Sequence, residues 1–594
     1  DAMTDGLIAS FSEDDIREAH LCWAQLLSGQ QRSKFLASRI AKHFYAAGAA
    51  GAALPYAIIA AEHADVTLAK REAGEWHERV LKQVTGDARD KHLRDAARCF
   101  FQADMPEKAA EYYVLLAKQA RSSKDEQRLM VVSAILLIRC GRVDRARPFL
   151  VQLSREFGFS VENVGPSALM RNVANSSRML LEKAENTPLG SIRPISRRDL
   201  RCCSELSASL AFFDVHHAIQ LVSAGSERVI EGVEDNLGVG NEEFHFAAVS
   251  CLWDIILNAE SGKKILNMER RLSVIRERLR HEKSHPDLAE FSRTLSLIKL
   301  FSMRWQELHV EVTASSEDFN FSNLMRSASE RSEIGQLTWV QLWSQWHLGH
   351  WKGMYDSAVD MLEDSVRRAD GYQHLVSTSG YAGNAFLIRG ECDRLTSLCK
   401  KNVAMLPRTE ELEASEFLCA FQEIQCLIYE GRFAAAASAV MSLRRQVCQS
   451  ILKRITLIRT MVDHLTALVG LHQLARSAGP EASGAIISRN TIANSLRRLE
   501  AGFSPFARAV ASLLRGFDHQ HQGNLEEARI YFERAAEIAD YNSLLPYQIA
   551  ASDALNRLSD PEDSLSQLQL AMANQGASEP EKLERLYTVN QPSS

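Results

Sequence analysis

His281 and His285 enclose a hydrolase-like spacing in this 594-residue chain, where His281-Glu282-Lys283-Ser284-His285 matches HExxH. On a helix, two imidazoles at i and i+4 share one face and hold zinc, while the intervening Glu activates a bound water. Two neighbours oppose that chemistry. Pro286 pushes His285 out of helical geometry, and the surrounding run RERLRHEKSHPD is charged where a zinc-binding helix needs a half-buried face. The stretch reads as a helix end with solvated histidines. No metal ligand and no cofactor are assigned, and a zinc hydrolase is kept as the remote alternative.

Four of the eight tryptophans fall within thirteen residues: Trp339, Trp343, Trp346 and Trp351. The first three stand at i, i+4 and i+7, one face of a helix, which is the spacing of core packing between helices. A partner-facing aromatic platform is the other reading, because tryptophan is enriched where binding energy concentrates. Arg197, Arg198 and Arg201, with Arg193, form a basic cluster beside a loop, and Arg270, Arg271, Arg276, Arg278 and Arg280 crowd a single helix. Pairing with nearby Glu269, Glu277 and Glu282 accounts for such a face; docking to an acidic surface or nucleic acid is the alternative. Asp214, His216 and His217 lie together, as do Asp518, His519 and His521, but no GxSxG elbow or Cys-His context supplies a nucleophile. The candidate partner-binding residues are therefore Trp339, Trp343, Trp346, Arg197, Arg198 and Arg201, and no catalytic residue is named.

The elements that position these groups are helices in a repeating pattern. The clearest copy reads Gly516, Gly523, Ala528, Phe532 and Ala535 at successive offsets of 7, 5, 4 and 3. In tetratricopeptide-type units a small residue on the first helix admits the second, a glycine turns the chain, and alternating small and large residues lock the pair. Weaker copies run through Ala41 to Ala60, Ala97 to Tyr113 with Asp104 at the turn, Ala134 to Leu150, Gly353 to Leu362, Gly383 to Pro407, and Gly431 to Leu443. Gly353 and Gly390 lie 37 apart and Gly390 and Gly431 lie 41 apart, so the helices run longer than in the 34-residue standard. Between the copies, helices without the signature are expected over about 168–183, 197–224, 242–257, 263–280, 287–308 and 451–476. Alternating strand patterns are essentially absent. The expected fold is an all-α, TPR-like helical-repeat solenoid, a right-handed superhelix of antiparallel helix pairs. Interruptions at 185–196, 313–333 and 477–484 divide it into regions 1–184, 197–312, 334–476 and 485–574, followed by a polar tail over 575–594 that should fray.

Composition agrees with this class. With 46% hydrophobic and 24% charged residues and 14 prolines, the chain has material for a long core and none of the bias of a disordered or fibrous protein. A net charge of -6 and a pI near 6.4 give no global attraction to nucleic acid or acidic lipid. No apolar run approaches the roughly 20 residues that span a bilayer, and no secretory signal pattern opens the chain, so a cytoplasmic protein is expected. Eleven scattered cysteines without a CxxC fit buried thiols in a reducing compartment. Asp1-Ala2-Met3 reads as a scar before a trimmed start, which makes a piece of a longer protein the expectation.

The passage RSKFLASRIAKHFYAAG, followed by ALPYAIIAAEHADVTLAKREAGEWHERVL, resembles the segment after the nucleotide-binding and winged-helix modules of STAND-type signalling ATPases. Arg193 to Leu221, Leu337 to Leu362 and Glu416 to Ala475 resemble the C-terminal repeat region of bacterial serine/threonine kinases that carry such a module. The resemblance implies a sensor or regulatory arm whose kinase and ATPase modules lie N-terminal to the repeats. This chain shows no GxxxxGK[ST], HRD or DFG motif, so no catalysis is expected of it. Its expected work is non-catalytic protein–protein interaction, with a protein or peptide partner or its own N-terminal modules, no membrane, and nucleic acid disfavoured. An arm of a transcriptional or nucleic-acid regulator is the alternative.

Overall fold

The computed structural model describes residues 11–30, 35–103, 105–120, 122–156, 166–186, 198–211, 214–234, 241–258, 262–281, 288–318, 328–406, 411–476, 486–559 and 566–589. Among these residues there are twenty-nine α-helices and no strand, and no helix is long and apolar enough to cross a membrane. The chain is an all-α, TPR-like solenoid of helices packed in adjacent pairs. It divides into two compact units, residues 1–140 with 145–153, and residues 141–144 with 154–594. The interruptions expected at 185–196, 313–333 and 477–484 all fall within the second unit.

In the first unit α1 (Glu13–Ser28), α2 (Ala37–Ala46), α3 (Ala50–Val66), α4 (Lys70–Leu81), α5 (Gly86–Gln102), α6 (Pro106–Lys118) and α7 (Ser123–Arg139) pack in succession, each on the one before it, and most of α8 (Val143–Glu156) also belongs here. Local chemistry sets the starts. Ser12 and Asp15 close a capping box on α1, Pro106 opens α6, and the Ser122 hydroxyl accepts from the Asp125 amide at α7. The core is built largely from alanines, with Ala37, Ala41, Ala57, Ala60 and Ala61 around Trp76 and Val80. Small side chains let helix backbones approach, as a repeat stack requires.

The second unit runs through α9 (Pro166–Asn186), α10 (Arg198–Leu210), α11 (Val215–Glu234), α12 (Asn241–Asn258), α13 (Gly262–His281), α14 (Leu288–Phe301), α15 (Trp305–Asp318) and α16 (Ala328–Leu348). It continues with α17 (Met354–Arg368), α18 (Gly371–Thr378), α19 (Gly380–Ile388), α20 (Cys392–Met405), α21 (Ala414–Tyr429), α22 (Phe433–Gln449) and α23 (Thr456–Arg476). The last elements are α24 (Arg489–Glu500), α25 (Pro505–His521), α26 (Leu525–Tyr541), α27 (Leu545–Ser559), α28 (Gln567–Asn574) and α29 (Pro580–Leu583).

The repeat signature is borne out at its clearest copy. Gly523 turns the chain with φ of 78°, a conformation repeated at Gly390 and Gly431 with φ of 74°. A Cβ on Gly516 would sit 2.4 Å from the Phe532 ring, so the glycine is what allows α25 and α26 to meet, while Ala528, Phe532 and Ala535 are buried. Asp104, the expected turn of another copy, lies outside the described residues.

Two expected long helices are each split. The stretch 197–224 becomes α10 and α11, the second capped by Asp214, whose carboxylate accepts from the His217 amide at 3.2 Å. The stretch 287–308 becomes α14 and α15, separated at Met303, which takes φ of 54°. Neither break carries a glycine or proline, which is why hydropathy alone ran through them.

The tail expected to fray does not do so between 575 and 589. Leu583, Glu584, Leu586, Tyr587 and Val589 are buried. The Ser578 amide donates to the Ile388 carbonyl at 2.8 Å, Tyr429 Oη donates to Glu579 at 2.8 Å, and Arg585 Nη1 donates to the Tyr429 carbonyl at 2.7 Å. This segment crosses the ends of α19 and α21. Its polarity misleads because its polar groups are spent on helix-end carbonyls and side chains rather than on water.

Candidate functional site

The middle of the second unit is aromatic. The His347 ring stacks on Trp305 with centroids 4.2 Å apart and meets Tyr381 at 4.3 Å and Phe506 at 4.6 Å, while its Nδ1 lies 3.1 Å from the Tyr547 hydroxyl. Tyr587, from the C-terminal segment, stacks on Trp346 at 5.5 Å and faces Tyr547 edge-on at 5.2 Å. Through these contacts α16 and α27 touch, so the second unit curls back on itself and fills its own middle. Burial holds His347 well below the ordinary imidazole range, with His464 adding repulsion, and the ring is neutral at physiological pH.

The sequence-predicted residues fall as follows. Trp339, Trp343 and Trp346 lie on α16 and are 3%, 1% and 2% exposed. Trp339 and Trp343 meet edge to face at 5.2 Å, and Trp343 meets Tyr381 at 5.1 Å, so in this conformation the three rings are part of the interior packing. Arg197 lies outside the described residues. Arg198 and Arg201 stand on α10, and their side chains are outside the description. On α13, Arg271 makes a bidentate pair with Glu185 at 2.7 Å, Arg276 pairs with Glu311, Arg278 donates to the carbonyls of Ala184 and Glu185, and Arg280 pairs with Glu277. That basic run is thus largely committed to the fold. His281 is the last residue of α13, and His285 lies outside the described residues. Asp214 receives His217 Nδ1 at 2.7 Å, a helix-capping arrangement, and His519 stacks on Tyr531 at 5.2 Å.

Two surface clefts stand out among the described residues, one in each unit. In the second unit a cleft of about 560 Å³ opens between α20 and α22 over α21. Its charged lining is Lys400 against Glu411, Glu416 and Glu423, and Gln446 and Gln449 form a wall. The floor is fixed by the helix start: the Glu413 amide donates to Glu416 at 3.1 Å, and the Val215 amide donates to the Glu413 carboxyl at 2.9 Å. Burial, with Asp214, Glu416 and Glu411 nearby, pushes Glu413 up to about 8. Cys399 and Cys419 also line the cleft. Burial raises both thiols, Cys419 to about 12 with Glu416 contributing, so neither is a ready thiolate nucleophile.

In the first unit a cleft of about 650 Å³ is lined by Lys42, Lys70, Arg71 and Arg79 against Glu72 and Glu75, beside Trp76. Arg79 stands over the Trp76 ring at 4.7 Å. Lys70 pairs with Asp65, which also receives Arg98 at 2.8 Å. Burial pushes the Asp65 carboxyl up, but the Lys70 and Arg98 hydrogen bonds outweigh it and bring it down to about 2.

In the same unit, His77 of α4 and His92 of α5 face each other with Nδ1 atoms 3.0 Å apart. Burial lowers both, His77 to about 4, so both rings are neutral at pH 7. Neither cleft nor histidine pair was singled out in the sequence. His92 and Asp95 at i and i+3 were a visible signal, but His77 joins them only through the pairing of α4 with α5.

No family model matches the chain, and no curated protein matches it. Among solved structures, the crystal structure of the APC/C hetero-tetramer Cut9-Hcn1 aligns at 12% identity, covering 88% of this chain and 95% of that one, with a TM-score of 0.29. A monomeric IFIT1 mutant with m7Gppp-AAAA aligns at 13% identity over 89% of this chain and 96% of that one, with a TM-score of 0.21. Scores this low set no common superhelical geometry. The fold assignment rests on the helix packing described above.

Proposed function

We propose that the chain is a non-catalytic docking arm, and that the cleft over α21 receives a basic segment of a protein partner. The observation that carries this is the charge of the cleft, where the carboxylates of Glu416 and Glu423 on α21 and of Glu411 just before it stand against the single Lys400. An extended or helical segment bearing Lys or Arg would exchange water for charge-assisted hydrogen bonds there. Stacked helix pairs suit such work because they present side chains from several repeats along one surface.

Binding is tested with an array of basic and acidic peptides read by fluorescence anisotropy. Basic peptides should bind, weaken as salt rises, and lose about tenfold or more in affinity with Glu416→Lys/Glu423→Lys. Equal binding by the charge-reversed protein sinks the assignment. The finer reading is that this is the sensor arm of a STAND-type ATPase or serine/threonine kinase, supported by the passages quoted above. The coding sequence upstream of Asp1 decides it: a P-loop or kinase motifs there support the reading, and their absence removes it.

A further inference from the structure

We infer that His77, His92 and Asp95 form a binding site for a single divalent transition-metal ion that staples α4 to α5. Among the described residues these three form the one group of His, Cys, Asp or Glu side chains in which three ligand atoms lie within 4.8 Å of one another. The donor set is two imidazole nitrogens and one carboxylate oxygen, a combination that suits zinc, cobalt or nickel and leaves coordination positions for water. His92 and Asp95 share a face of α5 at i and i+3, and His77 reaches them from α4. The two Nδ1 atoms stand 3.0 Å apart, a separation that an ion between them needs to widen only slightly.

The surroundings are those of a supported site. Both imidazoles are buried, 3% and 5% exposed, while the Asp95 side chain is 23% exposed and gives the ion a route from solvent. Arg98 holds Asp95 at 3.0 Å and Asp65 at 2.8 Å, which fixes the orientation of the ligand carboxylate in the way that outer-sphere partners do. A second histidine pair in the same unit serves as an internal control. His20 and His43 also approach through Nδ1, at 2.8 Å, but they are only partly buried, and among the described residues no third ligand completes a group of three there. A hydrogen bond between two imidazoles therefore accounts for the His20 pair. The buried carboxylate-completed pair is what differs.

The test uses the full chain, stripped with a chelator and titrated with Co²⁺. One equivalent should produce visible d–d absorption that Zn²⁺ abolishes by displacement, and Zn²⁺ should raise the melting temperature. His92→Gln, which keeps a polar side chain of similar bulk, and Asp95→Asn should each weaken binding by about 10–100-fold while circular dichroism stays native. His20→Ala should bind like the parent chain. The inference is overturned by any of three results: no saturable binding, parental affinity in folded His92→Gln, or strong sulfur-to-cobalt charge-transfer bands that assign the ion to cysteines.

Discussion

The two units solve the same problem with different side chains. The first is an alanine-cored ladder in which each helix touches its neighbours in sequence, and it leaves Trp23, Leu26, Phe35, Val66 and Leu68 exposed. The second joins residues two hundred positions apart, such as His347 and Tyr547, and packs tryptophan, tyrosine and histidine into its middle. A ladder has intrinsic stability only as the sum of neighbour contacts, whereas a unit that closes on itself gains cooperativity from long-range ones. The contrast shows that one repeat grammar serves both purposes, and that bulky residues at the inner helix face decide between them.

The sharpest way to break this comparison is Trp343→Ala. If the aromatic middle holds the second unit together, the truncation costs about 3–5 kcal/mol by denaturant unfolding, as expected for a buried tryptophan. A cost below 1 kcal/mol would mean the ring is dispensable. Next in size is Lys299→Met. Lys299 is buried between Glu269 at 3.0 Å and Glu311 at 2.9 Å, with Arg304 and Arg276 completing the network. Removing one member of a buried ionic cluster should cost about 3 kcal/mol, at the low end because the two arginines still hold both carboxylates. Thermal unfolding of the variant checks it.

Gly516→Ala drives a methyl group into Phe532 and should cost about 1–3 kcal/mol, part of which Phe532→Leu restores in the double variant. Glu413 supplies a pH test. Its carboxyl is raised from 4.5 to about 8 in the folded chain, so between those values the folded state binds more protons than the unfolded one. Stability should therefore fall as pH rises from about 4.5 to 8 through this group, and Glu413→Gln should flatten that slope, measured as unfolding midpoint against pH. An unchanged slope would remove Glu413 from the account. The smallest effect sharpens the contrast. Trp23, 54% exposed on α1, should change stability by no more than about 0.5 kcal/mol on truncation to Ala, against the large cost at Trp343.

The parts of this structure that were legible in the sequence are those governed by local rules. Gly523 had to adopt a left-handed turn and Gly516 had to be small, and both constraints act within one helix pair. The splits at Met303 and before Val215 were not legible, since neither is marked by proline or glycine. The packing of the C-terminal segment is not legible either, because its anchoring groups are polar and because Arg585 and Tyr587 meet partners such as Tyr429 and Trp346 from distant repeats. The same holds for the candidate sites. Glu411, Glu416 and Glu423 read as ordinary surface charge until α20 and α22 are seen to flank them. The spacing of Trp339, Trp343 and Trp346 did indicate one helix face, and the helix phase then placed that face inside.

The packing of Tyr587 against Trp346 also has a consequence during synthesis. The tryptophan-rich helix α16 ends at Leu348, and the segment that covers it extends to Val589, 241 residues later. At roughly 5–20 residues per second, the ribosome leaves that face without its final cover for about 12–48 s.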